Sequence, residues 1–276
     1  MSGYRVSKGQ KLYLGLVYAF LYIPIVVLIV FSFNASKSRN LFTDFTFKWY
    51  GELMTNQTVL KALGVTLVVA AVSSVLATLL GTAAAVGIMS MKKGLRTVVM
   101  NITYIPVINP EIVTGVSMLL LFGVFRGLLS FFGIEFEMGL VTLIIAHITF
   151  NVPYIIMSVC PKIRQMDKSL YEAALDLGCN HRQAFFKVVL PQIWPGIASG
   201  FLMALTYSID DFVISYFTCG TMQNLSIAIY SMTRRRVTPE INALSSIMFI
   251  IILGILLIMN LSGLRREEQL RKEARQ

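Results

Sequence analysis

The sequence predicts an all-α membrane protein with six transmembrane helices. Three observations carry that prediction. Hydrophobic residues make up 56% of the 276 positions and charged residues only 14%, with a mean hydropathy of +0.71. A soluble domain of this size needs far more polar side chains to cover its surface. Six apolar runs follow one another, at about 12–33, 62–91, 97–125, 139–161, 192–217 and 241–263. Each approaches or exceeds the roughly 20 residues that carry a helix across a hydrocarbon core. An open sheet cannot satisfy its backbone in lipid, so the runs are helices. They form a single transmembrane domain over 1–276, with one longer polar segment at about 162–191.

The first run follows Arg5, Lys8 and Lys11 and has the look of a secretory signal. It is too long for a signal core, and no small-x-small cleavage site follows, so it is expected to stay as a helix. The next loop carries "LFTDFTFKWYGEL", whose aromatics, Trp49 and Tyr50 among them, suit the outer membrane interface. The second run is uninterrupted. The third contains "TYIPVINPEIVTG", where Pro106 and Pro110 stop any regular helix from passing through. Asn109 is expected to cap a restarted helix, with Pro110 at its first position and Glu111 in its first turn. The fourth run carries Asn151 and Pro153, which predict a kink. Its His147 has no carboxylate or second histidine at ligand spacing and reads as a packing or hydrogen-bonding residue. The fifth passes through Asp210 and Asp211, and the sixth ends in "RREEQLRKEARQ", a solvated helix end.

Charge sets the orientation. One side receives Arg5, Lys8, Lys11, Lys92, Lys93, Arg96, Lys162, Arg164, Lys168, Arg182, Lys187, Arg265, Arg266, Arg271, Lys272 and Arg275, which is 16 of the 24 basic residues. Both termini are therefore expected in the cytoplasm. Arg234–Arg236, on the outer side, run against this trend. The cytoplasmic segments alone account for the net charge of +10, so an anionic leaflet explains it and no nucleic acid is called for. Cys160, Cys179 and Cys219 stand apart without metal-type spacing. No phosphate-binding Gly-rich loop, metalloprotease motif or nucleophile elbow is present, so no enzymatic activity and no bound cofactor are expected. The energy for any transport comes from an ion gradient or from another chain.

Three acids fall within or at the edge of spans: Glu111, Asp210 and Asp211. A charge at a helix centre costs about 2.5–3.5 kcal/mol on insertion scales, and no Lys or Arg lies in any span to offset it. Asp210 lies about 27 Å along a regular helix from the start of its span, near the outer boundary. For Glu111, a capped helix start and a path-lining carboxylate both stand. For the Asp210–Asp211 pair, a solvated outer loop stands beside a substrate role. Tyr104 and Tyr207 lie close in sequence to these acids and can offer π faces to a cation.

The polar segment holds "YEAALDLGCNHRQAFFKVVLP", Tyr171–Pro191. Ser169 and Glu172 have capping-box spacing and predict a helix start. Leu170, Ala174 and Leu177 share one face, with Glu172 and Asp176 on another. Gly178 stops the helix, and Asn180 with Gln183 caps a second one whose apolar face has Phe185, Val188 and Val189. Pro191 is expected to end it. A knob of two short helices suits a protein partner, and an amphipathic segment lying on the membrane is the other reading.

This segment resembles the cytoplasmic loop of permeases in binding-protein-dependent ABC importers. There the pattern is E-A-A, three residues, G, nine residues, I-x-L-P; here it is Glu172-Ala173-Ala174, Gly178, then Val188, Leu190 and Pro191, with Val188 in place of Ile. "NPEIVTG", "SIDDFVISYFTCG" and "IYSMTRRRVTPEINALSS" extend the likeness over nearly the whole chain, toward the second permease of spermidine/putrescine importers and their relatives. The resemblance implies the type I ABC importer permease fold in a bacterial inner membrane. It implies that Tyr171, Glu172, Ala173, Ala174, Asp176, Gly178, Val188, Leu190 and Pro191 dock an ATPase, with Glu172 and Gly178 central. ATP and Mg would then belong to that ATPase. The expected partners are a homologous second permease, two ATPase subunits, a periplasmic substrate-binding protein and membrane lipid. The substrate path is assigned to Glu111, Asp210, Asp211, Tyr104 and Tyr207, which favour a cation such as a polyamine. Iron is an alternative substrate within the family. A proton-coupled secondary transporter or a pathless membrane anchor is the alternative outside it.

Overall fold

The computed structural model describes residues 7–36, 41–235 and 239–273. Of these, residues within Met1–Leu60 and Ile229–Met259 form one compact unit, and those within Lys61–Ala228 and Asn260–Gln276 form the other. All regular elements among the described residues are helical. Among the described residues, five helices are long and apolar enough to cross a membrane, namely Lys8–Phe31, Gln57–Ser90, Glu111–Phe131, Leu140–Gln165 and His181–Asp210, and Pro239–Ile255 adds a shorter apolar stretch.

In the first unit, α1 (Lys8–Phe31) starts from a capping box between Ser7 and Gln10 and buries no residue against the rest of the chain. Its exposed apolar surface is what lipid or a partner subunit would cover. The chain after it is folded around Asn34. This fully buried side chain donates to the Leu41 carbonyl (2.8 Å) and accepts from the Thr43 amide (3.0 Å), while its own carbonyl accepts from the Trp49 indole (2.7 Å). Trp49, on α2 (Lys48–Thr55), is therefore buried rather than facing the interface as expected. A polar indole N–H can be buried because a carbonyl is there to receive it. The exposed aromatics are instead Phe42, Phe45 and Phe47. Arg236, the last of the anomalous outer arginines, lies outside the described residues, as do Lys37 and Arg39.

In the second unit, α3 (Gln57–Ser90), α4 (Lys93–Ile108), α5 (Glu111–Phe131) and α6 (Leu140–Gln165) follow in order. The expected third span is two helices. Asn109 and Pro110 are both extended, so the chain breaks between α4 and α5. Asn109 does not cap α5 as expected. It ends α4, and its side-chain amide donates to the Thr114 hydroxyl (3.5 Å), while Pro110 occupies the capping position with no side chain to offer. Helix α6 runs unbroken through Pro153.

The tightest packing in this unit joins α6 to α9 (Leu190–Asp210). Gly196 and Gly200 of α9 lie one turn apart, and a Cβ on either would meet α6: at Gly196, the Ser158 carbonyl oxygen at 2.9 Å; at Gly200, the Ile155 Cα at 3.2 Å. Ser158 uses that proximity to donate from its hydroxyl to the Gly196 carbonyl (2.8 Å). Small residues four apart let helix backbones approach in this way in membranes. Around the contact, Ile155, Val159, Ile193 and Ile197 form the core with Ala77 and Ala85 of α3.

Short helices complete the unit. Helix α7 (Lys168–Asp176) leads to α8 (His181–Ala184), a π-helical turn (Phe185–Val189), and α9. After Asp210 the chain breaks, then continues as α10 (Val213–Thr218) and α11 (Leu225–Arg235), which begins here and runs on into residues of the first unit. Helix α12 (Pro239–Glu273) carries the backbone of the C-terminal charged sequence on as helix.

Candidate functional site

Two sites emerge within the second unit. The first is a cleft of about 390 Å³ where the α4–α5 break meets the end of α9 and the start of α10. Two helix interruptions create it. Pro110 leaves Glu111 as the first residue of α5, and the break after Asp210 opens α9 toward α10. Glu111, Asp210, Asp211 and Tyr207 all line the cleft, together with Asn109, Phe150 and Tyr154. No Lys or Arg is among its lining residues. Four of the five expected path residues are thus brought together from segments about a hundred positions apart. The fifth, Tyr104, lines a separate cleft on α4.

The three acids differ in what they do. Glu111 and Asp210 are exposed, with no hydrogen bond or ion pair between their carboxylates and another described side chain. Asp211 is only 5% exposed at its side chain. Its carboxylate accepts from the Ser215 amide (2.7 Å) and the Ile214 amide (3.2 Å), capping α10. Its backbone carbonyl accepts from the Asn224 side chain (3.1 Å). Asp211 is therefore a structural cap as well as a lining residue, and the outer-loop reading fits neither of its contacts. His147 approaches that carboxylate after all, Nε2 to Oδ2 at 3.6 Å, and shares a hydrogen bond with the Ser215 hydroxyl (3.0 Å). Spacing along α6 could not show this, because both partners come from the chain beyond α9.

Sequence reasoning missed Tyr154. It stacks obliquely on Tyr207 with centroids 4.7 Å apart, so two rings face the cleft that holds the free acids. Its place one residue after Pro153 was the available signal, since that position shares a helix face with Asn151 and Phe150 only once α6 is known to continue. Asn151 donates to the Ser208 hydroxyl (2.7 Å), which in turn pairs with Ser73 (3.1 Å), tying α6, α9 and α3 together through buried polar groups.

The second site is the Tyr171–Pro191 segment. Helix α7 starts at Asp167, not at the Ser169–Glu172 capping box. The Asp167 carboxylate accepts from the Ser169 amide (3.0 Å), and that bond holds its pKa below the usual carboxylate range. An aspartate two residues earlier outcompetes the serine because it is charged. The helix ends in paired bonds, Cys179 amide to Ala174 carbonyl (3.0 Å) and Gly178 amide to Leu175 carbonyl (2.9 Å). Gly178 sits at φ +87°, where a side chain is strained. Asn180 and Gln183 form the expected capping box.

Faces divide differently from the expected pattern. Tyr171, Ala174 and Leu175 turn inward, Ala174 being buried and Tyr171 packing on the main core. Leu170 and Leu177, expected on one face with Ala174, are exposed, Leu177 at 87%. With Ala173 they form an apolar strip flanked by the exposed acids Glu172 and Asp176. Val188 and Leu190 are half-buried at the join to α9. Pro191 does not end the second helix. A π turn widens the helix from Phe185 to Val189, with the Leu190 amide bonding to the Phe185 carbonyl, and His181–Asp210 runs on as one apolar helix. A π turn changes which carbonyl each amide meets, so a proline without an amide is accommodated just after it.

A broken-helix cleft bearing free carboxylates, and an exposed knob at the other end of the same helix, define a multi-pass transport permease. The chain belongs to the family of binding-protein-dependent transport system inner membrane components, whose model matches residues 77–265. It is 37% identical over 233 residues to the putrescine transport system permease protein PotI of Escherichia coli (strain K12), covering 83% of this chain and 82% of that one. It is 35% identical over 248 residues to the spermidine/putrescine transport system permease protein PotC of the same strain, covering 90% of each. The PotC of Haemophilus influenzae is 32% identical over 253 residues, covering 91% of this chain and 95% of its own. The fold matches a chain of a bacterial ABC transporter that imports alginate, with a TM-score of 0.70 at 19% identity over 92% of this chain and 94% of that one. As a member of this family the chain is an inner-membrane protein with the type I permease fold.

Proposed function

We propose that this chain is a permease subunit of an ATP-driven polyamine importer and that the α5/α9/α10 cleft holds the substrate during transfer. One observation carries the substrate class: two unpaired carboxylates and two tyrosine rings line a cleft that contains no basic residue. A polyamine is a chain of ammonium groups separated by methylenes. Carboxylates offset its charge as hydration is stripped, and aromatic faces accept both ammonium and methylene. The names of relatives at 32–37% identity support the same substrate.

In this reading the Leu170–Ala173–Leu177 strip, with Glu172 and Asp176 beside it, docks an ATPase subunit in the cytoplasm. Gly178 sets the angle between α7 and α8, and the buried Ala174 and half-buried Tyr171 transmit force into the core rather than meeting the ATPase. The His181–Asp210 helix then links the docking knob to the acid at its far end. Movement of the knob tilts this helix against α6 and changes which side the cleft faces, giving alternating access. A homologous permease completes the path, two ATPase subunits bind ATP and Mg, and a periplasmic binding protein delivers substrate. The test is uptake of labelled spermidine by cells with and without this chain, in competition with di-, tri- and tetra-amines. Amines should compete and iron should not; the reverse order would refute the assignment.

A further inference from the structure

The second cleft, about 400 Å³, lies between α4 and the end of α6, just before the Tyr171–Pro191 segment. Lys93, Arg96, Thr97, Asn101 and Tyr104 fall on one face of α4, at intervals of three and four residues, and Arg164 of α6 closes the cleft. Three cations converge on one cleft, and among the described residues none of them pairs with a carboxylate. Like charges held together at the edge of a low-dielectric core repel one another unless an anion lies between them. Here the amide of Asn101 and the hydroxyl of Tyr104 add neutral donors. The cleft also includes the first turn of α4, a 16-residue helix whose N-terminus favours negative charge. Opposite this strip, α4 exposes Leu95, Val98, Ile102 and Ile105. One helix therefore presents an apolar face for the bilayer interior and a cationic cleft at its edge.

We propose that this cleft binds a phosphate group, carried by an anionic phospholipid headgroup or free in solution. The two arginines suit a phosphate, since each guanidinium can give two parallel hydrogen bonds to its oxygens. A polyamine would be repelled, so the cleft is separate from the acid-lined site, and this inference stands whether or not the substrate assignment does. Basic pockets between helices at a membrane face are where anionic headgroups are held.

The experiment uses the full chain with its transporter partners in nanodiscs, read by native mass spectrometry for retained lipid and by binding of radiolabelled inorganic phosphate. In phosphatidylglycerol-containing discs the wild type should retain phosphatidylglycerol over phosphatidylcholine, or in pure phosphatidylcholine discs it should bind phosphate saturably; the first result names the lipid source and the second the free anion. The double variant R96Q/R164Q should weaken whichever is bound by roughly twenty- to thirtyfold, about fivefold per charge. K93Q alone should weaken it about fivefold and serves if the double variant does not assemble. Lys162, in the last turn of α6 but not lining the cleft, is the control, and K162Q should leave binding unchanged. The inference is overturned if the wild type shows neither lipid preference nor phosphate binding. It is equally overturned if K162Q weakens binding as much as R96Q/R164Q, or if a crosslinker at position 96 captures only an acidic partner protein.

Discussion

At the residue scale, adjacent aspartates have opposite jobs. Asp210 is exposed in the cleft, whereas Asp211 holds two amides of α10 and lies against His147. Asp210→Asn should therefore leave the subunit's melting temperature in detergent unchanged while cutting polyamine uptake at least tenfold. Asp211→Ala should lower the melting temperature as well, since loss of a helix cap costs about 1 kcal/mol. Equal effects of the two variants on stability would show that the caps have been misassigned. Tyr154→Ala should raise the amine concentration needed for half-maximal uptake, with Tyr154→Phe close to wild type if the ring rather than the hydroxyl matters. The acids were readable in the sequence because charge in an apolar run stands out. The difference between them was not, since it depends on which amides the next helix places nearby. His147 shows the same limit: its carboxylate partner is 64 positions away, and no spacing rule reaches it.

At the element scale, the docking segment was legible in outline and wrong in detail. Gly178 and the Asn180–Gln183 cap were correctly read because each depends only on neighbours within a few residues. The expected grouping of Leu170, Ala174 and Leu177 on one face of α7 divides, because Ala174 is buried while Leu170 and Leu177 belong to the exposed strip. Hydrophobicity marks a surface that will be covered without saying by what. Pro191 was read as a stop because a π turn has no sequence signature. Gly178→Val should strain the α7–α8 turn by about 1–2 kcal/mol, since φ > 0 is unfavourable for a side chain. Reconstituted transporter carrying that variant should lose substrate-stimulated ATP hydrolysis and uptake together, while the subunit remains in the membrane. The Gly196/Gly200 contact was also invisible without the partner helix. Gly196→Val should force α6 and α9 apart at Ser158, and overpacking of this kind costs about 1–3 kcal/mol. Thermal unfolding in detergent would register it, and an unchanged melting temperature would mean the helices are not held at that point.

At the scale of the whole molecule, the His181–Asp210 helix connects the two candidate sites. The fold class and the six apolar runs followed from composition, since bilayer thickness leaves few alternatives for a chain this apolar. The third run was the exception: the break at Asn109–Pro110 turns it into two helices and creates the cleft. In the proposed cycle, the ATPase moves the 168–191 knob and the His181–Asp210 helix carries that movement to Asp210. Secondary transport would instead need a protonatable acid coupled to a gradient. The measurement that separates them is spermidine uptake by proteoliposomes that hold the assembled transporter with its cytoplasmic face inward, with ATP loaded inside, binding protein supplied outside and the proton gradient collapsed by a protonophore. The account predicts uptake that continues under the protonophore, stops without ATP and is abolished by Glu172→Lys. Uptake that persists without ATP and disappears with the gradient would contradict it.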